Sequence, residues 1–161
     1  MRTVDVVIET PKGSKYKYKF EPETNRFKVK KPMPAGLAFP YDFGFIPNTK
    51  GEDGDPLDIM LFFEDSFPQG CVVECIIIGA IKAKQSSEDE TIRNDRIIAV
   101  PAMVADEENE TELEDISKKK IKEIENFFVY YNKMENKEFK PLGILKAKET
   151  WKLIKEGFEV A

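Results

Sequence analysis

Three aspartates fall within six residues in the segment Asp53-Gly54-Asp55-Pro56-Leu57-Asp58. An extended chain points Asp53 and Asp55 the same way, and Pro56 can turn the chain so that Asp58 converges on them. Carboxylates this close repel one another, and burial makes the repulsion more costly. A divalent cation removes that cost, because Mg²⁺ and Mn²⁺ prefer carboxylate oxygen and water as ligands. The segment therefore predicts a divalent-metal site.

Two other interpretations of this segment are a solvated acidic turn and an EF-hand calcium loop. Acidic turns are common, but here Leu57 and Ile59 flank Asp58, so this aspartate is expected to lie inside an apolar strand. The calcium loop needs glycine where Asp58 stands, and helices rather than strands on both sides. Both alternatives are therefore less favoured than the metal site.

Composition limits the chemistry that the chain can perform. The 161 residues include no histidine, which excludes Ser-His and Cys-His pairs and imidazole metal ligands. The two cysteines, Cys71 and Cys75, are too few for a zinc site and are expected to be buried thiols in a reducing compartment. A net charge of −5 disfavours a nucleic-acid binder, and no apolar run is long enough to cross a membrane. We expect one domain over residues 1–161, in the cytoplasm.

Short strand-like segments dominate the first two thirds of the chain. In residues 15–20, lysines occupy one face of the predicted strand and aromatic residues the other. Short strands separated by turns favour a small closed β-barrel over a βαβ sheet. Strands are predicted at residues 4–9, 15–20, 26–30, 57–63, 71–81 and 96–100.

Helical periodicity takes over in the last third. Apolar residues at helical spacing predict an amphipathic helix over about residues 116–134, which Asp115 or Ser117 could cap. A second apolar stripe predicts a helix from about Ala147 to near residue 158, and Pro141-Leu142-Gly143 is expected to separate the two. The expected fold is mainly β with helices (α+β), a barrel flanked by two C-terminal helices.

The acidic segment resembles the aspartate-rich signature of family I soluble inorganic pyrophosphatases, D-x-D-P-x-D-x. Other segments are similar to that family in the same order and spacing: residues 6–14, 39–47, 97–101 and 127–131. The resemblance implies a five-stranded OB-like barrel. It also implies hydrolysis of pyrophosphate to two phosphates with Mg²⁺ or Mn²⁺, and self-association into a homo-oligomer.

The same resemblance implies roles for nine residues. Taken singly, Glu9, Lys17, Asp89 and Tyr131 also suit solvated or core positions, but together, at the family's spacing, they favour a site. The implied catalytic residue is Asp55, which would orient the attacking water and accept its proton. The implied metal ligands are Asp53, Asp58, Asp89 and Glu9, and the implied phosphate contacts are Lys17, Lys31, Arg96 and Tyr131.

Six positions depart from the family pattern. Lys19 stands where the family has glutamate, and Asn94 where it has a metal-binding aspartate, which together remove about three units of negative charge from the metal side. We hypothesise that Lys19 supplies positive charge in place of one metal ion. Asp95 is not expected to replace Asn94, since it shares a strand face with apolar Ile97. The other departures are Lys31 for arginine, Arg96 for lysine, Phe43 for tyrosine and Asn132 for lysine, with Tyr41 and Lys133 as nearby groups that could compensate.

Three functions follow from this combination of features. The expected one is hydrolysis of inorganic pyrophosphate by a divergent site. The first alternative is hydrolysis of another phosphoanhydride, which altered phosphate contacts could admit. The second is a non-catalytic relative that binds a metal–phosphate complex or a protein partner.

Overall fold

The computed structural model describes residues 3–105 and 111–160. Within these residues the chain forms nine β-strands, two α-helices and two short 3₁₀ turns at Ala102–Val104 and Leu113–Asp115. The strands are β1 (Thr3–Thr10), β2 (Tyr16–Glu21), β3 (Arg26–Pro32), β4 (Asp42–Ile46), β5 (Leu57–Leu61), β6 (Val72–Ser86), β7 (Thr91–Arg93), β8 (Arg96–Pro101) and β9 (Glu138–Lys146), and the helices are α1 (Lys118–Met134) and α2 (Ala147–Val160).

Five of these strands close into a barrel. The order is β1-β4-β5-β8-β6, and β1 also pairs with β6, which completes the ring. All the pairs are antiparallel except β5 with β8, where Ile59 lies opposite Ile97. Closure leaves no exposed edge along the ring. The five-stranded barrel expected from the sequence is confirmed.

Alternate residues of the barrel strands belong to two separate cores, as the two-residue period of a strand requires. Ile59 and Ile97 pack in one core with Ile154 of α2. Met60 packs in the other, with Phe128 of α1. Both predicted helices are therefore confirmed, and each covers one apolar surface of the barrel.

The first helix begins where a serine supplies a cap. The Ser117 side chain accepts a hydrogen bond from the backbone N–H of Lys120, so the serine rather than Asp115 satisfies the helix start. Neither helix among the described residues is long and apolar enough to cross a membrane.

The segment Pro141-Leu142-Gly143 was expected to separate two helices, and it does lie between α1 and α2, but as part of a strand that the sequence did not predict. It lies inside β9, which pairs with β6 along its whole length. The register shifts between Lys82 and Ala83, which pair with Gly143 and Pro141 and leave Leu142 as an extra residue. A bulge is one of the few places where a strand accepts proline, because a ladder hydrogen bond is already missing there.

The hairpin of β2 and β3 forms a second small sheet beside the barrel. Its lysine face is not a plain solvent face, because Lys17 is buried and Lys19 lies at the edge of a cavity. On the other face Phe20 stacks on Phe45 of the barrel, with ring centroids 5.4 Å apart. The hairpin therefore brings two lysines to one end of the barrel.

Candidate active site

The loop between β4 and β5 carries the acidic segment and is fastened at its base. The Thr49 hydroxyl donates to the Ile46 carbonyl at 2.5 Å and accepts from the Leu57 backbone N–H at 3.0 Å. Farther out, the Asp53 carboxylate accepts from the backbone N–H of Asp55 at 3.0 Å. These bonds fold the loop back on itself, and Asp53, Asp55 and Asp58 all line one cavity.

The acidic loop forms one wall of a cavity of about 290 Å³ at the end of the barrel. The opposite walls come from β1, the β2–β3 hairpin, the start of β8 and the C-terminal end of α1. Seven of the nine residues predicted for the site line this cavity: Glu9, Lys17, Asp53, Asp55, Asp58, Arg96 and Tyr131.

The carboxylates of the loop face cationic side chains. Asp58 Oδ2 lies 3.7 Å from Arg96 Nη1, and Asp55 Oδ2 lies 3.6 Å from Lys19 Nζ. Removal from water raises the pKa of the Asp58 carboxyl to about 6, although Lys17 and Arg96 oppose the shift. Asp58 is thus a carboxylate whose charge is incompletely compensated by protein groups.

This donor set suits a hard divalent cation. In the described parts of the chain, no three acidic side chains stand close enough to enclose an ion by themselves. Mg²⁺ does not require such an enclosure, because it keeps several waters and binds through one or two carboxylates together with substrate phosphate. Asp53 and Asp58 fit that pattern, because both line the cavity and the Asp58 side chain is 39% exposed, so that a hydrated ion can reach it.

Asp89 does not reach the cavity. It lies in the turn between β6 and β7, which is closed by a hydrogen bond from Ser87 N–H to the Glu90 carbonyl at 2.9 Å, and its side chain is exposed. Because β6 continues as far as Ser86, the turn lies beyond the cavity lining. The position of Asp89 therefore does not support its predicted role as a metal ligand.

The neighbouring wall carries amides instead of carboxylates. Gln85 Oε1 accepts hydrogen bonds from Asn94 Nδ2 at 2.9 Å and from Arg96 Nη2 at 3.0 Å, and all three side chains line the cavity. Asp95 is occupied elsewhere, since its carboxylate accepts from the Ala83 backbone N–H at 3.0 Å and from Arg93 Nε at 2.6 Å. Asp95 thus does not replace Asn94, as expected, but the cause is these hydrogen bonds and not a strand face, because Asp95 lies between β7 and β8.

Arg96 is the most buried cation of the site. Its guanidinium lies 4.9 Å from the ring centre of Phe128 and 5.3 Å from that of Phe139. Its Nε has no hydrogen-bond partner in the described part of the chain. Burial lowers the pKa of this guanidinium, and the nearby Asp58 carboxylate opposes the change. A guanidinium that lines the cavity is suited to an anionic ligand.

Two of the predicted phosphate contacts, Lys31 and Tyr131, lie beside Glu135, just after α1. Its Oε1 lies 2.8 Å from Lys31 Nζ, which in turn lies 4.8 Å from the ring centre of Tyr131. Burial, and then the Glu135 carboxylate, raise the pKa of the Tyr131 phenol far above its ordinary value. Lys31 is not a lining residue, but it contacts two that are.

Four polar or charged residues of the cavity lining were not singled out in the sequence: Lys30, Gln85, Glu135 and Lys137. Glu135 follows a helix and looks like an ordinary solvated charge, and Gln85 ends a strand. The groups proposed to compensate for altered positions do not reach the cavity. Tyr41 packs on Phe62, with ring centres 5.0 Å apart, and the Lys133 side chain is exposed.

The molecule is a closed-barrel α+β protein, and its charged cavity is built on a loop between two barrel strands. The sequence profile of the family described as "Inorganic pyrophosphatase" matches residues 6–161. The inorganic pyrophosphatase of Streptomyces coelicolor is 35% identical over 131 residues, covering 81% of this chain and 78% of that protein. The corresponding protein of Leifsonia xyli is 35% identical, with 98% and 95% covered.

A solved structure agrees with these relatives. The inorganic pyrophosphatase of Helicobacter pylori superposes with a TM-score of 0.87 at 27% identity, covering 98% of this chain and 92% of that one. The chain belongs to the inorganic pyrophosphatase family.

Proposed function

We propose that this protein hydrolyses inorganic pyrophosphate to two phosphates in the cavity at the end of the barrel. The observation that carries the proposal is that carboxylates and cationic side chains line the same cavity. Asp53, Asp55 and Asp58 supply the carboxylates of the acidic segment, and Lys17, Lys19 and Arg96 supply nearby positive charge. A metal–phosphate complex carries both signs of charge and matches such a cavity, and family membership supports the same substrate.

Asp53 and Asp58 would hold Mg²⁺, with Mn²⁺ as a substitute, through hard carboxylate oxygens. When bound, the cation supplies positive charge and lowers the pKa of a water that it holds. Glu9 and Asp89 fit this role less well. Both oxygens of Glu9 are already hydrogen-bonded, and Asp89 lies outside the cavity. We therefore propose a metal side that rests on the acidic loop.

Asp55 would act as the general base. Its side chain is 57% exposed, so water can reach it, and its only ion pair among the described residues is the one with Lys19. Asp55 would orient a water and accept its proton as the water oxygen bonds to one phosphorus and the bridging P–O bond breaks. Lys17 and Arg96 would bind the phosphate oxygens and stabilise the charge that develops on the leaving phosphate.

Release of phosphate from Mg²⁺–pyrophosphate tests the proposal. We expect turnover by the wild-type protein and a loss of at least about 100-fold in kcat for Asp55→Asn, the scale of general-base catalysis. Glu52→Gln is the matched control, because this exposed residue lies in the same loop but not in the cavity lining. Equal rates for wild type and Asp55→Asn would overturn the assignment of the base.

The same assay separates the alternatives. Turnover of triphosphate or nucleoside diphosphates without turnover of pyrophosphate would establish another phosphoanhydride substrate. Tight binding of phosphate without any hydrolysis would establish a non-catalytic relative. We further expect homo-oligomer formation and a cytoplasmic location from the family resemblance, which sedimentation and cell fractionation would test.

A further inference from the structure

Glu9, at the end of β1, has both carboxylate oxygens occupied by protein donors. Its Oε1 lies 2.8 Å from Lys17 Nζ, and its Oε2 accepts a hydrogen bond from the Phe20 backbone N–H at 2.9 Å. The Glu9 and Lys17 residues are each only 7% exposed. The family resemblance implied that Glu9 binds metal, but here the carboxylate is already saturated by groups that have little access to water.

Lys17 depends on this contact more than an exposed lysine would. Its ammonium lies 4.3 Å from the ring centre of Phe43 and 5.7 Å from that of Phe39, so two aromatic rings cover part of its surface. Glu9 is the one carboxylate within ion-pair distance of Lys17 in residues 3–105 and 111–160. Removing one member of a buried ion pair leaves an uncompensated charge, which costs far more than losing an exposed pair.

A metal ion at Glu9 would have to displace these donors. The displaced Lys17 ammonium would then lie against two aromatic rings without its counter-ion, and the Phe20 N–H would lose its acceptor. Lys17 lines the cavity together with Glu9, so the ion pair fixes the position of the ammonium within the site. Both oxygens of the Glu9 carboxylate therefore have hydrogen-bond partners without a metal ion.

We propose that Glu9 is a positioning residue, which holds the Lys17 ammonium in place for a phosphate group, and that it is not a metal ligand. This inference rests on the proposed function, because Lys17 is taken as a phosphate contact. Glu9 and Lys17 would then both serve phosphate binding. The metal ion would be bound by the acidic loop.

The test compares Glu9→Gln, Lys17→Met and the double variant with the wild type. For Glu9→Gln we expect KM for Mg²⁺–pyrophosphate to rise by about tenfold or more, the effect of disrupting a buried pair, while kcat changes less. Calorimetric titration of Mg²⁺ into the substrate-free protein should give the same affinity within twofold. The double variant should be no worse than Lys17→Met, because Glu9 acts only through that lysine.

The opposite results would overturn the proposal. A tenfold loss of Mg²⁺ affinity in Glu9→Gln, similar to that expected for Asp58→Asn, would make Glu9 a metal ligand. Multiplying effects in the double variant would show that Glu9 acts independently of Lys17. If Glu9→Gln does not fold, Glu9→Asp keeps the charge but withdraws it by one methylene, and the same two measurements decide.

Failure of the proposed function would be recognised separately. It would show as no pyrophosphate hydrolysis by the wild-type protein under any metal condition. The affinity for imidodiphosphate, a non-hydrolysable analogue, would then replace KM across the same variants. Weaker analogue binding with unchanged Mg²⁺ affinity would support the positioning role of Glu9, and the reverse pattern would refute it.

Discussion

Removing the positive charge of Lys19 should strengthen the binding of Mg²⁺ to the acidic loop. Lys19 Nζ lies 3.6 Å from Asp55 Oδ2, and the two side chains are 49% and 57% exposed. At this distance Coulomb's law in water gives about 1 kcal/mol, and measured exposed pairs contribute about 0.2–1 kcal/mol. A cation that binds the loop is repelled by the same ammonium. Lys19→Met should therefore raise the Mg²⁺ affinity by about two- to fivefold.

The assay is calorimetric titration of Mg²⁺ into the substrate-free protein, with Lys28→Met as the matched control. Lys28 lies opposite Lys19 in the β2–β3 hairpin, pairs with Glu21 at 3.2 Å, and does not line the cavity. Both variants make the same change in net charge, so only the position of the lost charge differs. In 1 M salt, where the Debye length is about 3 Å, the difference between them should nearly disappear.

Two results would refute this reasoning about Lys19. One is an Mg²⁺ affinity of Lys19→Met that is no higher than that of Lys28→Met. The other is a gain that persists unchanged in 1 M salt, which would point to a rearranged loop instead of a removed charge. The same titration counts ions, and more than two tight Mg²⁺ sites in the substrate-free wild type would contradict the hypothesis that Lys19 replaces a metal.

Three further predictions concern binding, packing and thiol burial. Mg²⁺ at about 100 times its Kd should raise the Tm by about 5–10 °C, and Asp53→Asn should lose most of that shift. An equal shift in the wild type and the variant would argue against Asp53 as a metal ligand. Gly44→Ala should lower the free energy of unfolding in urea by about 1–3 kcal/mol or more, because the new Cβ would clash with the Val7 carbonyl oxygen on the neighbouring barrel strand. A loss under 1 kcal/mol would contradict the strand spacing. Burial raises the pKa of the Cys75 thiol to about 12. At pH 8 an aromatic disulfide reagent should therefore label only the half-buried Cys71 in the folded protein. Rapid labelling of both thiols would contradict the described core.

The barrel and its helices could be predicted because their signals are local. Apolar runs mark four of the five barrel strands, whereas β4 was not among the predicted strands. The helical spacing up to Met134 marks α1, whose start is fixed by Ser117. Strand β9 was missed because Pro141 and Gly143 are ordinary turn residues. Only the bulge against β6 makes them acceptable in a strand, and a bulge depends on the partner strand.

The site was predictable where one short segment carries it and less so where distant segments meet. The acidic loop is contiguous, so the sequence showed it directly. By contrast, Glu135 and Lys31 are in contact although they are far apart in the sequence. Gln85 lies beside Arg96 only because their strands pair. The alternation of residues in β2 showed that Lys17 and Lys19 share a face of the strand. It could not show that the rest of the protein buries Lys17 on that face. These contacts depend on how strands and helices pack together, which residue spacing within one strand or helix does not show.

Hydrolysis of Mg²⁺–pyrophosphate in ¹⁸O-water, followed by ³¹P NMR, tests most directly whether the cavity activates water through Asp55. We expect two phosphates for each pyrophosphate, one atom of ¹⁸O in each product pair, and a rate at least about 100-fold lower for Asp55→Asn. Absence of turnover by the wild-type protein, or an equal rate of ¹⁸O incorporation by Asp55→Asn, would contradict this expectation.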